Sequence, residues 1–285
     1  MKLASLKDGR AIVTDGTRFT PLSSLGFEGS MLGFIRAGEE VFEEVKTNLA
    51  GIGFHENLEL TDLALPISRP PKVICIGLNY RDHAIESGMA IPTQPVVFTR
   101  FTTTLIDPFD DVEHDSSLTS ELDYEVELVI IIGKGGKRIA KESAMSHVLG
   151  YSVCNDVSAR DVQMGKDTGG QWTRGKNVDA TCPIGPWIVT KDEISDPQNL
   201  KLGCSVNGVT LQNSSTSEMI FGVEELVHRL SYWFTLEAGD TIITGTPVGV
   251  GFARKPPIFL KPGDVTKTWV EGVGEIENKI VEVNA

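Results

Sequence analysis

The chain has 285 residues, of which 40% are hydrophobic and 23% are charged, proportions that are ordinary for a globular protein. Its formal net charge of -13 argues against binding to the phosphate backbone of a nucleic acid. No segment reaches the roughly 20 apolar residues that a membrane-spanning helix requires, and the N-terminus lacks the apolar segment of a signal peptide, so we expect no membrane partner.

The first 70 residues predict a small N-terminal α+β domain followed by a linker. Short β-like segments lie between Asp-Gly turns at Met1–Leu6, Arg10–Thr14 and Arg18–Leu22. Apolar residues at helical spacing then predict a helix from about Ala37 to Leu49. A proline-bearing connection closes this unit, and we therefore predict domains at 1–70 and 71–285.

From Val73 onward the pattern is rich in strands and poor in helices. Helices are predicted at about Lys141–Leu149 and at Val223–Phe234. The predicted strands are Val73–Gly77, Val96–Phe98, Tyr124–Ile132, Tyr151–Asn155, Pro186–Thr190, Leu200–Val206 and Thr241–Thr244. Asn207-Gly208 indicates a type I′ hairpin, and Asp264–Val283 alternates like paired strands. We predict a mostly β (α+β) fold, with short helices around a large sheet system or barrel.

The four cysteines are widely separated and lie mostly in apolar contexts: Cys75, Cys154, Cys182 and Cys204. They form no Cys-x-x-Cys pair, so the sequence predicts neither a disulfide framework nor a zinc site. Buried thiols in a reducing compartment are the simpler interpretation. We therefore expect a cytoplasmic protein.

Two glutamates, Glu125 and Glu127, lie within the most apolar predicted strand. Side chains two residues apart point to the same face of a strand, so both carboxylates project together. The run 128–132 is apolar on both faces, which indicates an interior strand. Buried like charges need a counter-charge, and a divalent cation would supply one. The alternative is that the strand begins at a rim, where both glutamates are solvated.

A third carboxylate, Asp156, follows the predicted strand Tyr151–Asn155. Three carboxylates that converge at strand ends form a hard oxygen site, which suits Mg²⁺, Mn²⁺ or Ca²⁺ better than zinc. Arg160 and Gln163 follow and share one face of a predicted helix start. Arginine can hold a substrate carboxylate in a bidentate manner. The alternative for Arg160 is an ion pair with Asp161 or with a glutamate.

A second cluster follows the strand Val73–Gly77. In a helix, His83 and Glu86 would share a face, and a His–Glu pair can act as a general base. The alternative is a surface pair without a catalytic role. Lys176 is a single cation near Trp172, and its alternative is an ordinary surface lysine. Phe98, Phe101, Met219 and Phe221 are candidates either for a substrate pocket or for the core.

These residues stand in motifs that resemble the fumarylacetoacetate hydrolase family. The motifs occur in the family's order over about Lys72 to the C-terminus: Val-Ile-Cys-Ile-Gly-Leu-Asn-Tyr-x-x-His83-x-x-Glu86, Asp-Tyr-Glu125-Val-Glu127-Leu, Asn-Asp156-Val-Ser-Ala-Arg160-Asp161-x-Gln163, Gly175-Lys176 and Thr244-Gly-Thr246-Pro-x-Gly-Val-Gly251. Within the family, the chain is most similar to the domain-2-containing type and to bacterial 2,4-dioxo-acid hydrolases. One departure is visible, because Asn-Val-Asp follows Lys176 where relatives often carry a hydroxyl residue and Phe before Asp.

The resemblance implies a rolled, barrel-like β-sheet fold in the catalytic domain and usually a homodimer. It implies that Glu125, Glu127 and Asp156 hold Mg²⁺ or Mn²⁺. His83 and Glu86 would activate water on a lid that orders with substrate, with Lys176 assisting catalysis. Substrate oxygens would be bound by residues of the later motifs: Arg160, Gln163, Lys176 and Thr246.

The implied activity is hydrolysis of a C–C bond in a 2,4-dioxo acid such as an acylpyruvate, which yields pyruvate and a carboxylic acid. The same site could decarboxylate oxaloacetate, because that reaction also ends in a pyruvate enolate. It could also isomerise or hydrate an unsaturated 2-oxo acid. The family contains all of these activities, so fold analogy does not choose among them. A metal-dependent binding protein that has lost catalysis is a further alternative, which the retained His83–Glu86 pair disfavours.

Overall fold

The computed structural model describes residues 1–165 and 170–283. Within these residues the chain has 19 strands and six α-helices, together with several short 3₁₀ helices. The α-helices are α1 (Met31–Ala37), α2 (Glu39–Ile52), α3 (Arg81–Glu86), α4 (Arg160–Gln163), α5 (Trp172–Gly175) and α6 (Val223–Trp233). The mostly β prediction is confirmed.

The strands of the first half are β1 (Lys2–Leu6), β2 (Ala11–Thr14), β3 (Arg18–Pro21), β4 (Glu56–Asn57), β5 (Leu63–Ala64), β6 (Val73–Gly77), β7 (Val96–Thr99), β8 (Leu105–Ile106), β9 (Val112–His114), β10 (Leu122–Asp123) and β11 (Val126–Ile132). Those of the second half are β12 (Val148–Asn155), β13 (Ser158–Ala159), β14 (Cys182–Thr190), β15 (Lys201–Val206), β16 (Val209–Ser215), β17 (Thr241–Ile243), β18 (Val265–Val270) and β19 (Gly274–Glu282). All the strands predicted from the sequence are present: β6 has the predicted bounds, Val73–Gly77, and the ends of the others are shifted.

The largest sheet has 12 strands, in the order β4-β3-β2-β1-β14-β12-β11-β17-β6-β7, with β5 and β8 attached at its side. A second sheet has the order β16-β15-β18-β19-β9, and β10 pairs with β13. Over the described residues neither large sheet closes on itself, so the strands form no closed barrel. The expectation of a rolled sheet system therefore holds, without barrel closure.

Strand β11 lies in the interior, between β12 and β17. All seven of its residues are buried, as expected for a strand that is apolar on both faces. It runs antiparallel to both neighbours, while β17 runs parallel to β6. The start of β11 therefore meets the ends of β12, β17 and β6 at one edge of the sheet. Chain segments that follow three different strands are thereby brought together.

The N-terminal strands extend the same sheet, because β1 pairs antiparallel with β14 through Lys2↔Val189 and Leu3↔Ile188. The predicted helix is present as α2, which begins after Gly38, where φ is +87°. The helix α1 was not predicted, since its seven residues offer too short a stretch for a periodic signal. The domain boundary near residue 70 stays a prediction.

Two local predictions have opposite outcomes. Asn207 and Gly208 have φ values of +50° and +80°, as a type I′ turn requires, and they join β15 to β16. The helix expected at Lys141–Leu149 is wrong in its type and end: a 3₁₀ helix spans Lys141–His147, and β12 begins at Val148. The register explains the early end, because Val148 already pairs with Ile132 of β11.

Among the described residues no helix is long and apolar enough to cross a membrane. The four cysteines are buried and free, as predicted. Two of them, Cys154 and Cys182, lie on adjacent strands with their sulfurs 3.4 Å apart.

Candidate active site

Three carboxylates meet at the edge of the sheet where β11 begins. Val126 of β11 is paired with Asn155 of β12, so the residues flanking this pair are neighbours across the strands. Glu125, Glu127 and Asp156 each place one carboxylate oxygen within 4.8 Å of the others. Their exposed fractions are 5%, 2% and 0%. The alternative of two solvated glutamates at a rim is therefore wrong.

Two of these carboxylates are neutralised by buried cations. Lys176 Nζ lies 2.6 Å from Glu125 Oε2 and 2.5 Å from Asp156 Oδ2. Arg160 Nη2 donates to Glu125 Oε1, and Arg100 Nε donates to Asp156 Oδ1. Burial raises the pKa of Glu125, but Arg160 and Lys176 outweigh it and hold that pKa at about 2.

Glu127 is in a different electrostatic position. Its carboxylate accepts a hydrogen bond from the backbone N–H of Gly245, and within the described residues no Lys, Arg or His forms an ion pair with it. Burial raises the pKa of Glu127 well above its ordinary value, and the charges of Asp156 and Glu125 raise it further. Without an ion pair from the described residues, the charged form of Glu127 is therefore disfavoured.

This donor set fits a divalent metal ion. All three groups are carboxylates, which are hard oxygen ligands that Mg²⁺, Mn²⁺ and Ca²⁺ prefer. Such an ion would stabilise the charged form of Glu127, which burial and the neighbouring carboxylates disfavour. The three residues are therefore a candidate divalent-metal site, here called the acidic triad.

The predicted His–Glu pair is formed on helix α3. His83 Nδ1 lies 3.7 Å from Glu86 Oε2, and both Glu86 oxygens accept from the backbone N–H of Gly249, at 3.0 and 3.2 Å. Burial raises the pKa of Glu86, but the contacts with His83 and Gly249 outweigh it and lower that pKa. Asp82 fixes the helix, since it accepts from the His83 N–H and from Ser214 Oγ at 2.7 and 2.6 Å. His83 is 6% exposed, so the pair is not an ordinary surface pair.

A cavity of about 250 Å³ unites these groups. Most of the residues predicted from the sequence line it: His83, Glu125, Glu127, Arg160, Gln163, Lys176 and Thr246. Its apolar walls include Phe98, Trp172 and Phe252. Asp156 and Glu86 do not line the cavity, but they contact two residues that do, Lys176 and His83. Of the open aromatic and Met candidates, Phe98 lines this cavity, Phe101 lines another cleft, and Met219 and Phe221 are buried in the core.

For Lys176 and Arg160, residue spacing alone left two interpretations open, and the structure distinguishes between them. Lys176 is 2% exposed, so the interpretation as a surface lysine is wrong. Burial lowers its pKa, but Asp156 and Glu125 outweigh burial and raise that pKa, which keeps the amine protonated. Arg160 does form an ion pair with a glutamate, Glu125, but not with Asp161, which instead accepts from Thr119 and Ser120.

Arg160 also contacts two other groups. Its Nε lies 2.8 Å from Asp123 Oδ2, and its Nη1 donates to Gln163 Oε1 at 2.9 Å. Its guanidinium stacks 4.5 Å from the ring of Phe252. Arg160 therefore lines the cavity while holding Glu125 in place.

The sequence reasoning missed Asp123 and Arg100. Asp123 is fully buried and accepts from the backbone N–H groups of Gly251 and Phe252, so it joins Arg160 to the loop after β17. A signal for it was present, because Asp123 continues the alternation of Glu125 and Glu127. Arg100 follows β7 as an isolated cation, and only the strand arrangement brings it to Asp156.

Three buried carboxylates, a buried lysine and a His–Glu pair lie at or beside one cavity. Such an arrangement is typical of an enzyme with an oxygen-ligated metal site. The model of the fumarylacetoacetate (FAA) hydrolase C-terminal family matches residues 72–281. The chain belongs to this family.

Among curated relatives, the chain is similar to oxaloacetate tautomerase FAHD2A, mitochondrial, of Bos taurus, with 46% identity over 253 residues that cover 88% of this chain and 80% of the relative. Among solved structures, it resembles fumarylacetoacetate hydrolase from Exiguobacterium antarcticum, with 37% identity, coverage of 99% and 100% of the two chains, and a TM-score of 0.82. It also resembles maleylpyruvate hydrolase from Sphingobium sp. SYK-6 in complex with manganese(II) and pyruvate, with 28% identity, full coverage of both chains and a TM-score of 0.81.

Proposed function

We propose that this protein is a metal-dependent enzyme that interconverts the keto and enol forms of oxaloacetate or of a similarly small 2-oxo diacid. One observation carries the proposal: a basic group, His83, and a protonated amine, Lys176, line the same cavity of about 250 Å³ as Glu125 and Glu127 of the acidic triad. The sequence identity of 46% to an oxaloacetate tautomerase supports the choice of this reaction over the others in the family.

The metal would be held by Glu125, Glu127 and Asp156. When bound, it would place positive charge beside the oxygen that gains negative charge as the enol forms. The chain's own residues would then supply proton transfer and orientation.

His83 is the proposed base for the carbon proton. In the keto-to-enol direction its ring nitrogen takes a proton from C3, and the C–H electron pair becomes the C2–C3 double bond. Glu86 lies 3.7 Å from His83 Nδ1, where a carboxylate orients the imidazole and stabilises its protonated form. In the opposite direction the protonated His83 returns the proton to C3.

Lys176 is the proposed proton donor for oxygen. As the C2 carbonyl electrons move to oxygen, the Lys176 ammonium donates a proton to that oxygen and becomes neutral. After the enol leaves, His83 releases its proton to solvent and Lys176, which lies between Glu125 and Asp156, takes one up from solvent, so the site is reset with no net change in bound protons. Arg160, Gln163 and Thr246 would bind the carboxylate oxygens of the substrate from the same cavity wall.

A second candidate function is hydrolysis of a 2,4-dioxo acid at a C–C bond, giving pyruvate and a carboxylic acid. The His83–Glu86 pair favours it, because the same base could deprotonate water for attack on the distal carbonyl. The similarity to maleylpyruvate hydrolase, at 28% identity, supports this class less strongly. Decarboxylation of oxaloacetate is a weaker candidate, since it requires no base and leaves His83 without a role.

Three finer features of the proposal remain predictions. We expect Mg²⁺ or Mn²⁺ at the acidic triad, in keeping with its oxygen donors. We also expect a homodimer and a cytoplasmic location.

The reaction can be tested with metal-stripped protein to which Mg²⁺ or Mn²⁺ is added back. Loss of the ultraviolet absorbance of enol oxaloacetate reports tautomerisation, and a coupled assay reports pyruvate, with protein-free blanks for metal-catalysed decay. We expect metal-dependent loss of enol without pyruvate. Faster pyruvate release from acylpyruvates would identify a hydrolase, and pyruvate from oxaloacetate a decarboxylase; either result would overturn the proposal.

A further inference from the structure

Arg100 is a buried cation that touches the acidic triad from outside the cavity lined by the other site residues. It follows β7 and is 2% exposed. Taking a guanidinium out of water is costly unless its donors are all satisfied in good geometry. The contacts of Arg100 therefore show what its charge is used for.

The guanidinium of Arg100 contacts three acceptors with three different nitrogens. Its Nε donates to Asp156 Oδ1, its Nη2 donates to the carbonyl of Val157, and its Nη1 donates to Thr181 Oγ1 at 3.2 Å. One rigid, planar group thus holds both the side chain of Asp156 and the backbone that follows it. A lysine ammonium, a compact charge on a flexible stem, cannot reproduce this fork.

The two oxygens of Asp156 have separate partners as a result. Arg100 engages Oδ1, whereas Oδ2 lies 2.5 Å from Lys176 Nζ, which also contacts Glu125. Anchoring Oδ1 leaves Oδ2 as the oxygen directed towards the rest of the triad. The rotation of this carboxylate is therefore set by Arg100.

Asn177 connects the two cations that hold Asp156. It accepts from the Phe101 N–H at 2.5 Å and donates to the Thr99 carbonyl at 3.1 Å, so it holds the backbone on both sides of Arg100. Asn177 directly follows Lys176. A single amide thus fixes the segment carrying Arg100 against the segment carrying Lys176.

We propose that Arg100 is a positioning residue for the metal site, which orients Asp156 for metal binding, and that Asn177 fixes Arg100 relative to Lys176. This inference rests on the proposed metal-dependent function. Outer partners of metal ligands typically contribute a factor of about 10 to 100 in metal affinity. The predicted effect therefore concerns affinity for the metal, and not only stability.

The test is titration of the metal-stripped protein with Mn²⁺, followed by electron paramagnetic resonance, together with thermal unfolding of the metal-free form. Arg100→Lys keeps the charge but loses the fork, and we expect its Mn²⁺ dissociation constant to rise by about 10- to 100-fold. Asn177→Ser, which cannot bridge both backbone groups, should give a smaller rise of the same kind. Arg229→Lys, at an arginine that pairs with Glu225 on α6, is the matched control and should bind like the wild type.

Thr181→Val removes the acceptor of Arg100 Nη1, together with the hydrogen bond that Thr181 donates to the Val178 carbonyl, and leaves Arg100 itself in place. This variant keeps the inference testable if Arg100→Lys does not fold. It too should weaken Mn²⁺ binding, by less than Arg100→Lys. If the wild type binds Mn²⁺ and the folded variants bind it with the same affinity, the positioning role is overturned while the metal-dependent function stands. This holds even if the variants have a lowered melting temperature. Failure of the wild type to bind Mn²⁺ would overturn the metal-dependent function and the inference with it.

Discussion

Glu125 and Glu127 of the acidic triad line the same cavity as His83, but the triad and the His83–Glu86 pair are held in different ways. The triad lies at the ends of central strands, and two of its carboxylates are held by buried Lys176, Arg160 and Arg100. The pair lies on the six-residue helix α3, which is attached by hydrogen bonds to Ser214 and Gly249. The candidate metal ligands thus lie within or directly beside the buried strands β11 and β12, and the proposed base lies on a short helix.

The difference indicates which part of the site has more conformational freedom. Strand β11 is fully buried and paired on both sides, so its carboxylates have little freedom. Helix α3 depends on a few polar contacts, and its Ile85 is 74% exposed. Elements with few buried contacts open at the lowest free-energy cost. We therefore assign metal binding to the rigid part and proton transfer to the adjustable part.

The largest effect on activity is expected for Glu127→Gln. This change removes a proposed metal ligand, the carboxylate that forms no ion pair with any Lys, Arg or His of residues 1–165 and 170–283, so Mn²⁺ affinity and turnover should fall by more than the roughly 10- to 100-fold typical of changes to the outer partners of metal ligands. The metal-free protein should nevertheless be as stable as the wild type or more so, because a buried like charge has been removed. Calorimetric Mn²⁺ titration and melting of the metal-free form measure both. Lower metal-free stability would contradict the assignment of Glu127 as uncompensated.

His83→Ala should separate the two regions. Because His83 is the proposed base and not a metal ligand, Mn²⁺ affinity should be unchanged while turnover falls by about 10²- to 10⁴-fold. His55→Ala, at an exposed histidine of the N-terminal region, is the control and should retain activity. Unchanged turnover in His83→Ala would remove the His–Glu pair from the mechanism.

Glu125→Gln should affect stability more than Glu127→Gln does. It leaves Arg160 and Lys176 with one buried counter-charge fewer, a change that typically costs about 3–5 kcal/mol. The folded-state pKa of Glu125, about 2, lies below its ordinary value of 4.5, so its stabilisation is present above pH 4.5 and is lost as the pH falls towards 2.

Unfolding of the metal-free Glu125→Gln protein and the wild type at several pH values checks this. The two proteins should differ most near pH 7 and converge as the pH falls towards 2, as Glu125 itself becomes protonated. A difference that does not depend on pH would show that the carboxylate charge is not the cause.

The smallest effect is expected for Glu86→Gln. The amide still fills the place of the carboxylate but no longer stabilises a protonated His83, so turnover should fall less than in His83→Ala, with Mn²⁺ affinity unchanged. The pH–rate profile should therefore differ from that of the wild type. Glu224→Gln, at the start of α6, serves as the control. A loss equal to that of His83→Ala would give Glu86 a direct role in the reaction.

Much of the site could be predicted because its residues lie in short, local patterns. The alternation of Glu125 and Glu127 within an apolar run, followed by Asp156 at a strand end, placed three carboxylates together before the strand order was known. The three-residue spacing of His83 and Glu86 likewise indicated one helix face. Such patterns follow from the periods of the strand and of the helix.

The remaining parts depended on register between distant segments. Arg100 reaches Asp156 only through the folding of the chain after β7, and the Asn177 amide matters only because residues 99–101 lie beside it. Arg160 was expected to face substrate, but its main contacts are with Asp123 and Glu125. The end of the 3₁₀ helix at His147 is set by pairing with β11, which local propensity does not encode.

The central claim is that the acidic triad binds the metal while the His83–Glu86 pair transfers the proton. The most direct test is the rate at which enol oxaloacetate is lost at increasing Mn²⁺ concentration, measured for the metal-stripped wild type and for His83→Ala. We predict that both rates saturate at the same Mn²⁺ concentration, with a plateau for His83→Ala that is lower by about 10²- to 10⁴-fold. A wild-type rate that does not depend on Mn²⁺, or a changed half-saturation in His83→Ala, would contradict the account.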